Sequence, residues 1–398
     1  MSLNSTASAE RIHIGFFGVR NAGKSSVVNA VTNQSLSIVS NTPGTTTDPV
    51  RKAMELLPAG PVVIIDTPGL DDEGALGNLR VDKTKEELRR CDVAVLVIDA
   101  TRGFLQADND LLTLFEKEKV PFIVAYNKTD LINEERKKQL PHFENQIFVS
   151  ALGNEGIQEL KELIARVATK EEKQKFLVSD LVNKGDFVVL VIPIDSSAPK
   201  LRLIMPQQMV IRDCLDAQAI PVCCQVSELQ ETLQGFSVAP KLVITDSQAF
   251  EEVANIVPHS INLTSFSILM ARYKGEFDAF IEGASYLSSL KTGDKVLICE
   301  SCSHHRQCED IGTVKLPYWI EQYSNSKPEF SFCSGREFPS NLNCYNLIVH
   351  CGGCMSNDKE IHYRVSLAKQ SSVPIVNYGI AIAQMNGILS RALTVFEK

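Results

Sequence analysis

A glycine-rich octapeptide near the N-terminus constrains the fold of this 398-residue chain more than any other feature. Residues Gly18–Ser25 satisfy the pattern G-x-x-x-x-G-K-S/T. The apolar segment Ile12–Gly18 predicts a strand before the loop, and helical periodicity begins at Lys24. A strand, a loop and a helix in this order direct backbone N–H groups and a helix N-terminus at phosphate oxygens. The sequence therefore predicts an α/β domain with a phosphate-binding loop.

Further apolar segments predict buried strands that alternate with segments long enough for crossover helices. They are Val62–Asp66, Val93–Asp99, Phe122–Asn127 and Gln146–Ser150. This alternation is typical of a mainly parallel sheet covered on both faces. We expect it to form an N-terminal domain over residues 1–172, in which residues 1–10 are a disordered lead-in.

Two motifs that follow the first helix suit the metal and the terminal phosphate. Asp66-Thr67-Pro68-Gly69 ends a predicted strand, where Asp66 can hold Mg²⁺ through water and the Gly69 N–H can sense a γ-phosphate. The polar segment Gly44–Asp48 suits a loop that orders when Thr46 reaches the metal. Both motifs predict switch segments that respond to the γ-phosphate.

Two later motifs select the base. In Asn127-Lys128-Thr129-Asp130, the Asp130 carboxylate can accept hydrogen bonds from the ring N–H and amine of guanine, which adenine does not offer. Ser150-Ala151 follows the last predicted strand and can complete the base pocket. The expected nucleotide-binding residues are Gly18, Asn21, Ala22, Gly23, Lys24, Ser25, Ser26, Thr46, Asp66, Gly69, Asn127, Lys128, Asp130, Ser150 and Ala151.

Within this set, Ser25, Thr46 and Asp66 are the expected Mg²⁺ ligands, and Lys24, Thr46 and Gly69 are the expected catalytic groups. Leu70 stands where Ras-like enzymes place a glutamine that orients water. Intrinsic GTP hydrolysis is therefore expected to be slow or assisted from elsewhere, and no catalytic base is identified.

Residues 11–170 resemble the translation-factor-related GTPases of the Era and MnmE type, on the motifs just quoted. The resemblance implies a P-loop GTPase domain that uses GTP hydrolysis as a switch. It also implies K⁺ stimulation, because Asn21 matches the asparagine with which potassium-activated members coordinate K⁺.

After a charged stretch at Lys170–Lys175, the strand and helix rhythm resumes and predicts two smaller α/β domains, 173–264 and 265–398. Eleven cysteines occur in the chain, and in a reducing compartment clustered cysteines suggest metal. Cys302 and His304 follow one predicted strand, and a second ends in His350-Cys351 with Cys354 close behind. Three thiolates with a weaker fourth ligand suit a [4Fe–4S] cluster with one exchangeable iron, or zinc bound as Cys₃His.

The pattern Cys-x-His, long spacer, His-Cys-x-x-Cys resembles the hydrogenase maturation GTPases of the HydF family over nearly the whole chain. The resemblance implies that a GTPase domain precedes a dimerisation domain and an iron–sulfur domain. It implies Cys302, Cys351 and Cys354 as [4Fe–4S] ligands, and leaves the fourth site open among His304, Glu309, His350 and solvent.

That family's role implies a GTP-hydrolysing carrier, which binds a diiron precursor and delivers it to apo [FeFe]-hydrogenase. The expected partners are this hydrogenase, the radical-SAM maturation proteins and a second copy of the chain. A net charge of −8 opposes binding to nucleic acid. It therefore disfavours the alternative function of an Era-like ribosome- or RNA-associated GTPase with a zinc-binding C-terminal domain.

The apolar segments fall short of the roughly 20 residues that a membrane helix needs. Residues 1–10 have no apolar core typical of a secretory signal. We therefore expect a cytoplasmic protein without membrane contact.

Overall fold

The computed structural model describes residues 10–34, 50–67, 84–169, 175–194, 203–301, 311–335, 338–354 and 356–397. The predictions for Thr46, Gly69, Cys302, His304 and Glu309 lie outside the described residues. The chain divides into two compact units, Met1–Lys173 and Gln174–Lys398.

The first unit contains a six-stranded sheet in the order β2-β3-β1-β4-β5-β6. Every pairing is parallel except that of β2 with β3. The P-loop α/β fold with a mainly parallel sheet is thus confirmed. Its elements are β1 Ile12–Phe17, α1 Lys24–Thr32, β2 Val50–Leu56, β3 Gly60–Asp66, α2 at residues 84–88, β4 Val93–Asp99, α3 Gln106–Lys117, β5 Phe122–Asn127, α4 Glu134–Gln139, β6 Gln146–Phe148 and α5 Ile157–Thr169.

Apolar strands form the centre of this sheet because both of its faces are covered. All residues of β4 are buried, and helices α1 and α5 pack over one face while α3 packs over the other. The edge strand β2 was not anticipated from the sequence. Its residues alternate between exposed and partly buried, since a strand with one solvated face needs only every second residue to be apolar.

The second unit contains two four-stranded sheets, β10-β9-β7-β8 and β12-β11-β13-β14, and all of their pairings are parallel. Its elements are β7 Phe187–Val191, α6 Met205–Asp216, β8 Ile220–Cys224, α7 Leu229–Gln234, β9 Leu242–Thr245, α8 Phe250–Ile256, β10 Asn262–Ser265, α9 Phe266–Tyr273, α10 Phe277–Ser285, β11 Lys295–Glu300, α11 Leu316–Ser324, β12 Glu329–Ser334, β13 Leu347–His350, α12 Asp358–Gln370, β14 Ile375–Asn377, α13 Tyr378–Met385 and α14 Leu389–Leu393.

One hydrophobic core joins the two sheets of this unit. Val243 of the first sheet and Leu297 of the second belong to the same cluster of buried side chains. Arg391, near the C-terminus, donates to the carbonyl oxygens of Ala254 at 2.8 Å and Val257 at 2.7 Å. The C-terminal helices are therefore tied to the end of helix α8, which covers the first sheet. Among the described residues, no helix combines the length and the apolarity required to cross a bilayer.

Candidate functional site

Two glycines allow the P-loop to fold back against neighbouring strands. A Cβ on Gly18, which has a φ of 146°, would lie 2.4 Å from the carbonyl oxygen of Val97. A Cβ on Gly23, with a φ of 86°, would lie 2.2 Å from Asn127 Nδ2. Only glycine satisfies both the backbone conformation and the close approach. The loop therefore leads into α1 with Lys24 at its first position.

Two of the three residues expected at the metal, Ser25 and Asp66, lie together at the start of α1. Ser25 Oγ donates to Asp66 Oδ2 at 2.9 Å. The Asp66 side chain is 3% exposed, and its Oδ1 has no hydrogen-bond partner among the residues that the structure describes. A buried carboxylate oxygen without a donor, beside a hydroxyl, fits a hard divalent cation such as Mg²⁺.

Asn127 braces the P-loop against the loop after β6. Its Nδ2 donates to the carbonyl oxygen of Ala22 at 3.1 Å, and its Oδ1 accepts from the Ala151 N–H at 3.1 Å. Asn127 is 2% exposed, so both ends of the amide are satisfied within the protein. Residues distant in sequence thereby meet in one candidate nucleotide site.

Lys128 forms a second brace from the same strand end. Its Nζ donates to the carbonyl oxygen of Asn21 at 2.9 Å and to Asp99 Oδ2 at 2.5 Å. Burial opposes ionisation of Asp99, but hydrogen bonds from Lys128 and Thr101 outweigh it and lower the Asp99 pKa. The sequence analysis did not identify Asp99. Its position at the C-terminal end of β4, beside the strand that carries Asn127, could have indicated that it lies in the site.

The base-selecting groups meet at the end of β6. Ser150 Oγ donates to Asp130 Oδ1 at 2.6 Å and accepts from the Gly153 N–H at 3.0 Å. Ser150 is buried and Asp130 is exposed, so the serine holds a carboxylate that faces solvent. The Asp130 carboxylate, which the sequence predicts to select guanine, is thus held in place and open to solvent.

The second unit brings the cysteine segments together at the C-terminal ends of β11 and β13. These strands are parallel neighbours, with Cys299 opposite His350. The Cys351 N–H donates to the Cys299 carbonyl oxygen at 2.8 Å, and the Ser301 N–H donates to Cys351 Sγ at 3.0 Å. Since Ser301 directly precedes Cys302 in sequence, the chain that leads to Cys302 lies beside Cys351.

His350 is 1% exposed and both of its ring nitrogens have partners. Nδ1 lies 2.6 Å from the Cys351 carbonyl oxygen, and Nε2 lies 3.2 Å from Arg364 Nη1. Burial, followed by the positive charge of Arg364, lowers the pKa of His350 to about 3. The ring is therefore neutral at physiological pH.

Sequence reasoning missed Arg364 and Glu360, which lie on helix α12 after Cys354. They form a buried ion pair at a spacing of four residues, with Arg364 Nη2 2.8 Å from Glu360 Oε1. A glutamate and an arginine at this spacing are common on exposed helix faces, so the pattern carried no signal of burial.

Cys299 and Cys333 face each other on paired strands with their Sγ atoms 2.9 Å apart. Burial, then the neighbouring thiol of Cys333, raises the pKa of Cys299 well above its usual value. Both residues pack in the core rather than toward solvent. Within the described ranges, which omit residues 302–310, no three His, Cys, Asp or Glu side chains form a metal-binding group.

Family models match both units of the chain. The hydrogen maturase F dimerization domain matches residues 177–275, and the hydrogen maturase F tetramerization domain matches residues 278–395. The chain belongs to the HydF family. A 50S ribosome-binding GTPase domain matches residues 13–128 of this HydF-family chain, which confirms the resemblance of its N-terminal domain to Era and MnmE.

Curated relatives match the GTPase half. GTPase Der of Kosmotoga olearia is 34% identical over 176 residues, which are 40% of this chain and 40% of the relative. The tRNA modification GTPase MnmE of Clostridioides difficile is 35% identical over 157 residues, or 38% of this chain and 34% of the relative. The chain spans less than half the length of these relatives. Both matches support a GTPase domain, which implies GTP or GDP and Mg²⁺ as ligands.

Among solved structures, Era from Aquifex aeolicus is 20% identical, with 57% of this chain and 98% of that chain covered and a TM-score of 0.36. This TM-score is too low to support the fold, which is shown instead by the sheet order and the P-loop geometry.

Proposed function

We propose that this HydF-family chain is a hydrogenase-maturation GTPase that carries iron–sulfur cargo. The observation that supports this proposal is the presence, in one chain, of a guanine-nucleotide site and both HydF domains. The N-terminal unit hydrolyses GTP to GDP and phosphate. The C-terminal unit binds a [4Fe–4S] cluster and a diiron precursor for apo [FeFe]-hydrogenase.

The geometry of the described residues supports the proposed nucleotide-binding roles. Asp130, held by Ser150, accepts hydrogen bonds from guanine, while backbone N–H groups of the P-loop surround the phosphates. Asn127 joins the P-loop at Ala22 to the loop after β6 at Ala151, and so keeps both segments in place for the nucleotide. Together these contacts bind and orient GTP.

Hydrolysis joins a water oxygen to the γ-phosphorus and breaks its bond to the β–γ bridging oxygen, which leaves with GDP. Ser25, Thr46 and Asp66 would hold Mg²⁺, which would supply positive charge against the charge that develops on the phosphate oxygens. Lys24 contacts the β- and γ-phosphates, and the Gly69 N–H binds the γ-phosphate. Loss of phosphate releases Thr46 and Gly69 and thus reverses the switch.

K⁺ stimulates the reaction through Asn21. The Asn21 side chain is exposed, and its residue is held at a φ of 63° with its carbonyl oxygen bound to Lys128. Anchoring of the backbone leaves the side-chain amide oxygen available for a monovalent cation near the phosphates. Replacement of K⁺ by Na⁺ therefore reduces turnover.

The cluster is bound by Cys302, Cys351 and Cys354. The N–H to sulfur hydrogen bond from Ser301 to Cys351 supports this role, because such bonds stabilise thiolate charge in iron–sulfur sites. The ligand of the fourth iron is His304, Glu309, His350 or solvent. A weakly held ligand at this position suits docking of the diiron precursor. The precursor carries CO, cyanide and a dithiolate bridge.

The expected partners are apo [FeFe]-hydrogenase, the radical-SAM maturation proteins and further copies of the chain in the cytoplasm. Oligomers form through residues 177–275 and 278–395, consistent with the names of the matching domains. An RNA-associated GTPase with a zinc-binding tail is the alternative. The HydF matches over both sheets of the second unit, together with the net charge of −8, favour the carrier function.

Anaerobic reconstitution tests the cluster. The chain is incubated with ferrous iron and sulfide, and bound iron, sulfide, zinc and the reduced-state EPR signal are measured. Cys302→Ala, Cys351→Ala and Cys354→Ala should lose iron, whereas the exposed Cys344→Ala should retain it. Binding of zinc alone by the wild-type chain would contradict the proposal.

The link between GTP and delivery is tested with Lys24→Ala. This variant should lose GTP turnover and the ability to activate apo hydrogenase in the presence of the maturation partners. Full hydrogenase activation without GTP turnover would separate the GTPase from cargo delivery.

A further inference from the structure

Arg364 is the largest fully buried side chain of the described residues and lies next to the cysteine segments. It is 1% exposed, and it projects from α12, the helix that follows Cys354. Desolvation of a guanidinium is costly, so a buried one requires acceptors for its five N–H groups. The partners of Arg364 therefore indicate what it holds in place.

These partners come from three separate segments. Arg364 Nε donates to Glu360 Oε1 at 2.9 Å, and Nη2 donates to the Gly335 carbonyl oxygen at 2.7 Å. Nη1 lies 3.2 Å from His350 Nε2, and the guanidinium stacks 5.0 Å from the centre of the Phe338 ring. The side chain thus connects helix α12 with the ends of β12 and β13.

The contact with His350 determines the tautomer of that histidine. A guanidinium only donates, so His350 Nε2 must accept and the ring proton resides on Nδ1. Nδ1–H then donates to the Cys351 carbonyl oxygen at 2.6 Å. Each ring nitrogen is engaged, and the histidine joins Arg364 to the backbone of a cysteine expected to bind the cluster.

Ser301 extends the network toward Cys302. Its Oγ lies 3.3 Å from His350 Nε2, and its N–H donates to Cys351 Sγ. The segment before Cys302, the peptide of Cys351 and the helix after Cys354 are therefore joined through His350 and Arg364.

We propose that Arg364 is a positioning residue for the cluster-binding cysteines. It holds His350 in the orientation that braces the Cys351 backbone, so that His350 does not act as a metal ligand. This inference rests on the proposed cluster-binding function and narrows its fourth-ligand set to His304, Glu309 and solvent. Glu360 balances the buried charge of Arg364.

The test compares variants of the full chain. Arg364→Met combined with Glu360→Gln removes the network without an unpaired buried charge. His350→Gln keeps an oxygen that can accept from Arg364, whereas His350→Ala removes it. Arg212→Met with Asp216→Asn is the matched control, because these exposed residues also pair at a spacing of four.

After anaerobic reconstitution, the Arg364/Glu360 variant and His350→Ala should bind iron roughly tenfold more weakly. His350→Gln should bind iron within about twofold of the wild type, since the brace is kept. Its nitrogen couplings in pulsed EPR should be unchanged. Loss of a strong nitrogen coupling in His350→Gln, or wild-type iron affinity in the Arg364/Glu360 variant, would overturn the inference.

A second readout needs no cluster. In apo protein, alkylation of Cys351 should be about tenfold faster in the Arg364/Glu360 variant than in the wild type, while that of exposed Cys344 stays constant. Equal Cys351 rates would overturn the positioning role. Faster alkylation with no iron binding by the wild type would instead refute the proposed function and leave the role of Arg364 supported. If the paired variant does not fold, Arg364→Lys carries both tests, because an ammonium cannot reach all of the acceptors.

Discussion

At the scale of single residues, buried polar groups organise the nucleotide site. Asn127 and Lys128 each contact the P-loop through its backbone carbonyl oxygens, and Ser150 holds Asp130. The Asn127 amide is buried, and a buried amide that loses its partner incurs a desolvation cost of about 1–3 kcal/mol. Substitutions that displace these groups should therefore disturb the loop even before the nucleotide binds.

Gly23→Ala should abolish tight nucleotide binding. The new Cβ would lie 2.2 Å from Asn127 Nδ2 and would displace the amide that braces the loop. Gly60→Ala is the control, because Gly60 also has a positive φ of 82° but open space around it. Both variants should lose about 1 kcal/mol of folding free energy from backbone strain. Fluorescent GDP titration should show normal affinity only for Gly60→Ala, and equal affinities would refute the steric argument.

Asp130→Asn should change base preference. The asparagine amide has one acceptor oxygen fewer than the aspartate and an added N–H donor. This donor opposes the exocyclic amine of guanine but can bind the 2-oxo group of xanthine. We expect GTP affinity to fall roughly a hundredfold and xanthosine triphosphate affinity to rise above it. Competitive nucleotide titrations measure both, and unchanged preference for GTP would exclude Asp130 from the base pocket.

Cys214 should resist alkylation at pH 8. Burial, followed by the charge of Asp213, raises the pKa of its thiol to about 12, so almost no thiolate forms at that pH. Exposed Cys344 should react at least about a hundredfold faster with iodoacetamide. Peptide mass spectrometry reports both rates, and comparable labelling would show that the α6 environment opens readily.

At the scale of elements, both candidate sites lie at the C-terminal ends of parallel strands. Strands β1, β3, β4 and β5 lead to the nucleotide residues, while β11 and β13 lead to the cysteine segments. Parallel strands end at the same sheet edge, so side chains distant in sequence converge there.

The start of α12 should matter for the cysteine loop. Asn357 caps this helix, with its Oδ1 accepting from the Glu360 N–H at 3.1 Å. Asn357→Ala should lower the free energy of unfolding by about 1 kcal/mol, whereas Asn357→Asp should retain the cap. Urea unfolding measures the difference. Iron retention should fall together with stability in Asn357→Ala but not in Asn357→Asp. Equal stability of the two variants would exclude a capping role for Asn357.

At the scale of the whole molecule, the chain comprises two compact units, although three domain models match it. The two HydF domains share one hydrophobic core, and Asn377 Nδ2 donates to the Ser267 carbonyl oxygen at 3.3 Å across them. Burial of apolar surface between the two sheets therefore stabilises both.

A fragment of residues 174–398 should consequently fold on its own, and a fragment of residues 276–398 should not. The shorter fragment loses the buried partners of its core and the carbonyl acceptors of Arg391. Circular dichroism and urea titration should show a cooperative transition only for the longer fragment, with residues 1–173 as the positive control. Cooperative unfolding of 276–398 would show that its sheet needs no neighbour.

The P-loop GTPase fold, the guanine motifs and the HydF resemblance can be predicted from the sequence alone, because glycine spacing, strand periodicity and motif order are local patterns. Edge strand β2, whose pattern is only half apolar, was not predicted. The folded chain, by contrast, is needed to see that Lys128 bonds Asp99 and that Arg364 holds His350. These contacts join residues far apart along the chain, and whether a polar side chain is buried depends on what packs over it.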